Sequence, residues 1–124
     1  MSYPIGGIKQ TTVDVAATSA TRQTLLTPTT GLAVRIISVQ VVTNGLVTNP
    51  GRVSVYFGTG AAYITNVASA IGEAVPGTTG NVMIGPWHAG EGPIGTVSQV
   101  VSGITETETE TALRYTIVYQ EESL

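Results

Sequence analysis

Apolar and polar residues alternate with a period of two along much of the chain, a pattern typical of β-strands with one buried face. Residues 32–57 are predicted to form a long β-hairpin around which the rest of the chain is organised. Its arms, residues 33–43 and 52–57, are rich in β-branched side chains, which fit a pleated surface better than a helix. Turn-forming residues stand at both ends of the connection, in Asn44-Gly45 and Asn49-Pro50-Gly51.

The two arms differ in how apolar residues are divided between their faces. In the first arm, one predicted face carries Val34, Ile36, Ser38, Gln40 and Val42, and the other carries Arg35, Ile37, Val39, Val41 and Thr43. Because both faces are largely apolar, this strand is predicted to be central and covered on each side. The second arm alternates more cleanly, with Val53, Val55 and Phe57 predicted inward and Arg52, Ser54 and Tyr56 outward.

Shorter segments complete the predicted architecture. Further strands are predicted at residues 11–17, 18–26, 81–84, 94–101 and 112–120, with a turn at Ser102-Gly103. Residues 61–71 are predicted to be a short strand or an irregular segment, and residues 73–80 a loop. About seven or eight short strands predict an all-β, single-domain β-sandwich, jelly roll or small barrel.

The N-terminal end has a different character from the rest of the chain. Residues 1–10 contain Pro4, Gly6 and Gly7 and lack periodicity, so they are predicted to form an extended arm, and residues 11–124 a single β-sandwich domain. Such an arm is able to add a strand to a neighbouring subunit.

Composition points to a protein that associates with others. Only 10% of the 124 residues are charged, against about a quarter in ordinary domains, and threonine, valine and glycine are the most frequent residues. A surface of this kind has little electrostatic protection against association, so much of it is expected to be buried in an oligomer or assembly.

Charge and cysteine content exclude several classes of partner. The net charge is -3 and the five basic residues are scattered, which argues against nucleic-acid binding. The chain has no cysteine, so disulfides and Cys-based metal sites are excluded. The N-terminus does not resemble a signal peptide, and no apolar run approaches the ~20 residues that span a bilayer. We therefore expect a soluble product that stays where it is made, without membrane or cofactor.

Catalytic candidates are few. The single histidine, His88, and the single aspartate, Asp14, would have to meet a serine or threonine to form a triad, and no Gly-x-Ser-x-Gly motif is present. Glu73 and Glu91 are available as carboxylates for glycoside hydrolysis, although nothing in the sequence selects a pair. The chain is therefore expected not to be an enzyme.

An acidic row offers a candidate cation site. Glu106, Glu108 and Glu110 alternate with threonines, which in a strand would place three carboxylates on one face about 6.6 Å apart. Such a row suits Ca²⁺, but like charges that protect an edge strand from unwanted pairing explain it as well. Because no calcium-loop pattern accompanies the row, the second explanation is favoured.

Aromatic residues offer a possible binding surface. Trp87, together with Tyr63 or Tyr56, presents apolar rings on which a sugar can stack, and His88 lies beside Trp87. Tryptophan is more often buried in a core or an interface, which is the favoured interpretation of Trp87. The possible binding surface predicted here consists of Trp87, His88 and Tyr63.

Four segments carry a resemblance to a known class of proteins. They are Arg52-Val-Ser-Val-Tyr-Phe-Gly-Thr-Gly60, Val82-Met-Ile-Gly-Pro-Trp87, Gly92-Pro-Ile94 and Arg114-Tyr-Thr-Ile-Val-Tyr-Gln-Glu-Glu122. Together they resemble small all-β virion structural proteins of tailed bacteriophages, including head decoration (cement) proteins. The resemblance implies a non-enzymatic subunit, made in the host cytoplasm, that oligomerises, often as a trimer, and binds the major capsid protein on the outside of a phage head.

Three functional hypotheses follow from the sequence. The leading one is a capsid decoration protein that stabilises a phage head. The alternative is a carbohydrate-binding or other β-sandwich binding module of the tail or receptor-binding type, using Trp87 and nearby tyrosines. A small β-fold enzyme using Glu73, Glu91 or His88 ranks below both.

Overall fold

The computed structural model describes residues 3–16, 21–43, 52–60, 70–75, 80–106 and 112–124. Within these ranges the chain forms eight β-strands. They are β1 (Tyr3–Val15), β2 (Gln23–Leu26), β3 (Ala33–Thr43), β4 (Val53–Phe57), β5 (Ala70–Ala74), β6 (Asn81–Ile84), β7 (Val101–Thr105) and β8 (Leu113–Ser123). No helix in the described ranges has the length and apolar character needed to cross a membrane.

The strands form two four-stranded antiparallel sheets that make a small β-sandwich. Sheet 1 has the order β1-β8-β3-β6, and sheet 2 has the order β2-β7-β4-β5. The pairs β1–β8, β2–β7, β3–β6 and β4–β5 are nested one inside the next. The prediction of an all-β fold with about seven or eight strands is confirmed.

The predicted hairpin over residues 32–57 is wrong. Both of its arms are strands, but β3 lies in sheet 1 and β4 lies in sheet 2. Both edges of β3 are occupied, by β8 on one side and β6 on the other, so β4 has no edge of β3 to pair with. Instead, β4 pairs with β5 and β7 within sheet 2.

A β-bulge in β3 changes which side chains face the core. The register between β3 and β8 shifts between Ile36 and Ser38, so the alternation of faces reverses there. Val34 and Ile36 before the bulge and Val39 and Val41 after it are all fully buried. The prediction of two continuous faces for this strand is therefore wrong. The bulge explains why apolar residues occur at both even-numbered and odd-numbered positions.

The core lies between the two sheets. Its buried residues are Leu25, Leu26, Val34, Ile36, Val39, Val41, Val53, Val55, Phe57, Ile71, Ile84, Val101, Leu113, Tyr115 and Ile117. Val53, Val55 and Phe57 face inward as predicted, but Ser54 and Tyr56, predicted to face outward, are also fully buried. Every residue of β4 and β7 is buried, whereas sheet 1 has a more open outer face.

A loop of residues 85–98 covers the edge of β3 that β6 leaves free. Backbone hydrogen bonds join Trp87 N to Ile37 O at 2.8 Å and Ile36 N to Pro93 O at 2.9 Å. Gly92 permits this approach, since a Cβ there would lie 1.9 Å from the carbonyl oxygen of Ile36. The strand predicted at residues 94–101 is wrong, because only Ile94 forms an isolated bridge, to Arg35, before β7 begins at Val101.

Three other boundaries differ from the sequence-based predictions. Ser102 and Gly103 lie within β7 rather than in a turn, and Glu73 and Ala74 lie in β5 rather than in a loop. Residues 3–10, within the predicted N-terminal arm, are extended and exposed, and they belong to β1. β1 pairs with β8 of the same chain.

Candidate functional site

Two adjacent carboxylates at the end of β8 form the most heavily bonded polar cluster among the described residues. Glu121 and Glu122 are 2% and 4% exposed, although acidic residues are almost never fully buried unless they are paired. Successive residues of a strand point to opposite faces, so the two side chains reach different neighbours. We call Glu121, Glu122 and their partners Lys9, Thr29 and Arg35 the acidic clasp.

Glu121 holds β1 and the segment after β2 to the end of β8. Its carboxylate accepts hydrogen bonds from Lys9 Nζ at 2.5 Å, from Thr29 N at 2.6 Å and from Thr29 Oγ1 at 3.0 Å. Three donors from two separate segments therefore converge on one buried group.

Glu122 holds β3 and the loop 85–98 in a similar way. Arg35 Nε and Nη2 both donate to its carboxylate, the second at 3.2 Å, in the two-point geometry that favours arginine. Arg35 Nη1 also donates to the carbonyl oxygen of Gly92 at 2.9 Å. The clasp thus connects β8 to both neighbouring strands, β1 and β3, while Thr29 binds Glu121 and the loop 85–98 binds Arg35.

The environment of Glu121 favours its charged form. Burial by itself raises the pKa of this carboxyl, but hydrogen bonds from Lys9 and Thr29 and the charge of Lys9 outweigh burial and hold the pKa below its usual range. The hydrogen bond to Glu121 in turn raises the pKa of Lys9.

A pH dependence of stability follows from Glu121. Because its pKa is lower in the folded than in the unfolded chain, its stabilisation is present above the unfolded pKa of about 4.3 and is lost as the pH falls through the folded value. We expect the free energy of unfolding, measured with urea, to fall less steeply below about pH 5 in the Glu121→Gln variant than in the wild type. Glu91→Gln, in the exposed loop, is the control; equal slopes in all three proteins would contradict the assignment.

Sequence reasoning did not identify the clasp. The two glutamates stand at the end of the chain, where acidic residues are usually solvated, and their basic partners are distant in sequence. The one available signal was the continuation of the period-two pattern of β8 from Leu113 through Tyr119 to Glu121, which placed a carboxylate on the core-facing side.

The predicted binding surface is only partly within the described residues. Trp87 is half-buried and packs against the core, whereas His88 is exposed in the loop 85–98. Tyr63 lies outside the described residues. Tyr56, considered as another partner of Trp87, is fully buried in β4 and donates its hydroxyl to Gly60 O, so it is not available to a sugar. Sugar binding at Trp87 and His88 stays a prediction.

The catalytic candidates are distributed over separate elements. Asp14 accepts a hydrogen bond from Arg114 Nε at 2.7 Å on β1 and β8, which holds the pKa of Asp14 below its usual range, while His88 lies in the loop beside β3. Glu73 is in β5 of sheet 2, with Arg52 at 3.9 Å, while Glu91 is in the loop along sheet 1.

The acidic row is described only at its first residue. Glu106 follows β7, its backbone N–H donates to Arg52 O at 2.8 Å, and its side chain lies 3.8 Å from Arg52. Glu108 and Glu110 lie outside the described residues, so cation binding by the row stays an open prediction. Within the described ranges, no group of three His, Cys, Asp or Glu side chains is placed to hold a metal ion.

The outer face of sheet 1 is a broad surface with little charge. In two rows across the four strands, Thr12, Thr116, Gln40 and Met83 lie side by side, as do Asp14, Arg114, Val42 and Asn81. The single acid and the single base in these rows bind each other. Met83 is 49% exposed at the edge of the face.

Together, the fold and the clasp define the chain as a small antiparallel β-sandwich with two ion pairs formed by buried carboxylates. No protein-family model matches the sequence, and a search of curated proteins finds no relative.

Similar solved structures include two from phage capsids. A chain from the acid-stable capsid of Helicobacter pylori bacteriophage KHP30 is 12% identical with a TM-score of 0.49, covering 97% of this chain and 93% of that one. A chain from the capsid asymmetric unit of cyanophage Pam1 is 15% identical with a TM-score of 0.49, covering 95% and 90%. A chain from Bacillus endospore appendages is 16% identical with a TM-score of 0.40, covering 92% and 87%.

Proposed function

We propose that this chain is a non-enzymatic virion structural protein of the capsid decoration type, which binds the major capsid protein and stabilises a phage head. In this proposal it is made in the host cytoplasm and located in the virion. The observation that carries the proposal is the outer face of sheet 1, because it offers a broad, nearly uncharged surface to a partner.

The side chains of this face favour its burial against another protein. Threonine, glutamine, valine and methionine side chains lie next to one another on four adjacent strands, and the Asp14–Arg114 pair adds no net charge. Interface cores are depleted in charged residues, and methionine is enriched there. A face of this composition is suited to burial against another protein over a large area.

The order of the strands adds an analogy of architecture. We infer that the sandwich is a jelly roll, because its nested strand pairs correspond to one long hairpin folded across two sheets. Jelly rolls occur in viral capsid domains and also in lectins, an analogy of fold. The resemblance of segments 52–60, 82–87, 92–94 and 114–122 to phage decoration proteins selects the first of these classes.

The acidic clasp suits a protein that must keep its shape in an assembly. It ties β1, β3 and two loops to the end of β8 through Lys9, Thr29 and Arg35. Surfaces formed by these elements are therefore held in place before a partner binds, which lowers the entropic cost of association. In this proposal the chain also associates with its own copies, and the resemblance favours a trimeric unit.

The test is cosedimentation of the purified protein with expanded, undecorated phage capsids. We expect saturable binding and a higher capsid melting temperature. Met83→Lys should weaken binding about tenfold, because it places an unpaired charge in the interface, whereas Thr30→Lys, the same charge in an exposed turn, should not. Absence of saturable wild-type binding, or equal binding of both variants, would count against the proposal.

A further inference from the structure

One edge of the sandwich differs from the other three. The outermost strands β2, β5 and β6 have 4, 5 and 4 residues, whereas β1 at the edge of sheet 1 has 13 residues. Short edge strands are a common protection against unwanted strand pairing, and β1 lacks it. Half of its backbone N–H and C=O groups point away from β8, since antiparallel pairing uses one edge of a strand.

Only part of this edge is regular. The register with β8 shifts between Ile5 and Lys9, and Pro4 precedes the shift. Residues 9–15 pair with β8 one by one, from Lys9 opposite Tyr119 to Val15 opposite Leu113. Among the described residues, the part of this edge that suits extended pairing is therefore the seven-residue segment 9–15, whose centre is Thr12.

The charges of this segment are already paired within the chain. Lys9 binds Glu121 at 2.5 Å, and Asp14 binds Arg114 at 2.7 Å. An edge lysine usually repels an approaching strand, but the charge of Lys9 is balanced by a buried carboxylate. The other residues, Gln10, Thr11, Thr12, Val13 and Val15, are uncharged.

We propose that the β1 edge pairs antiparallel with the β1 edge of a second copy, across a two-fold axis at Thr12, and joins two copies of sheet 1 into one eight-stranded sheet. In such a symmetric antiparallel contact, the residue numbers of every opposing pair add up to the same value. With Thr12 opposite Thr12 of the second copy, Thr11 lies opposite Val13, Gln10 opposite Asp14, and Lys9 opposite Val15.

This register fits the sequence of the edge. It uses all of segment 9–15 and places no like charges opposite each other. Threonine–threonine pairs are favourable across strands, and the Gln10 amide is placed to donate to the Asp14 carboxylate. A centre at Thr11 would instead place Ile8, inside the irregular part of β1, opposite Asp14. The self-complementarity of this one register is the reason to assign a second copy rather than a different strand.

The contact goes beyond the proposed function and does not depend on capsid binding. It joins copies in pairs, so the free protein is expected to be a dimer, or a hexamer if trimeric units also form. Sedimentation equilibrium of the wild type tests this directly. A monomer or a trimer at all concentrations would overturn the proposal.

Cysteine cross-linking tests the register, because the natural chain contains no cysteine. Residues directly opposite across antiparallel strands have Cα atoms about 4.5–5.5 Å apart, within the range of a disulfide. Thr12→Cys is therefore expected to form a covalent dimer under mild oxidation. Gln10→Cys, on the same exposed face, is the matched control, since the two Gln10 positions would be roughly 13 Å apart along the strands.

Charge substitution gives a second, reversible test. Thr12→Lys and Thr12→Glu should each raise the dissociation constant of the pair about fivefold or more, and an equimolar mixture should restore association. Equal cross-linking of the two cysteine variants, or no recovery in the mixture, would overturn the register. Protection of Thr12→Cys from a maleimide only on capsids would assign the edge to a capsid-protein strand and overturn pairing between copies.

Discussion

Replacing Ile36 by alanine is expected to lower the free energy of unfolding by about 2–4 kcal/mol. Ile36 is fully buried in β3 at the centre of the core, immediately before the bulge. The substitution removes apolar contacts and leaves a cavity. The neighbouring side chains fill this cavity only partly, because their backbone is held in the two sheets. Val55→Ala, on the facing sheet, should act in the same direction, with a smaller effect because fewer atoms are removed.

Urea unfolding monitored by the fluorescence of Trp87 gives the measurement. Ile8→Ala is the matched control, since Ile8 is 59% exposed in β1 and its truncation should change stability by less than about 0.5 kcal/mol. If Ile36→Ala and Val55→Ala both cost less than about 1 kcal/mol, the core assignment is wrong.

Replacing Arg35 by alanine is expected to destabilise the protein by about 3 kcal/mol. The side chains of Arg35 and Glu122 are 15% and 5% exposed, so the substitution leaves a buried carboxylate without its arginine. It also removes the hydrogen bond from Arg35 Nη1 to Gly92 O, which holds the loop 85–98 against β3. Chemical denaturation at neutral pH measures the loss.

Arg52→Ala provides the control for Arg35→Ala. Arg52 is 50% exposed and lies 3.9 Å from Glu73 and 3.8 Å from Glu106, so its removal should cost less than about 1 kcal/mol. A double variant, Arg35→Met with Glu122→Gln, should lose less stability than the sum of the two single variants, because no buried charge is left unpaired. If Arg35→Ala costs no more than Arg52→Ala, the clasp contributes little to the fold.

The local sequence predicted the bounds of two strands correctly. The predicted bounds of β3 and β6 agree with the structure, because β-branched runs end there at residues that break the pattern. The same reasoning failed for residues 94–101, which are apolar enough for a strand but form backbone hydrogen bonds with the edge of β3 as an irregular segment. Composition does not specify which partner a backbone group will find.

The candidate site was harder to predict from the sequence than the fold. Trp87 is the single tryptophan of the sequence, and its half-buried position against the core agrees with the favoured interpretation of that residue. The acidic clasp was missed because Glu121 and Lys9 are 112 residues apart, and Glu122 and Arg35 are 87 apart. Charge pairing over such separations is decided by strand order, which one sequence does not reveal.

For this protein, the sequence alone determined the all-β class, an approximate strand count and the inward face of β4, since these depend on side-chain chemistry with a period of two. Tertiary structure decided that β3 and β4 belong to different sheets, that a bulge at Ile37 reverses the faces of β3, and that the two adjacent glutamates of β8 are buried. The physical reason is that strand pairing, register and the burial of charge depend on which strands, distant in sequence, pair at each edge. These pairings are fixed only by the complete tertiary structure.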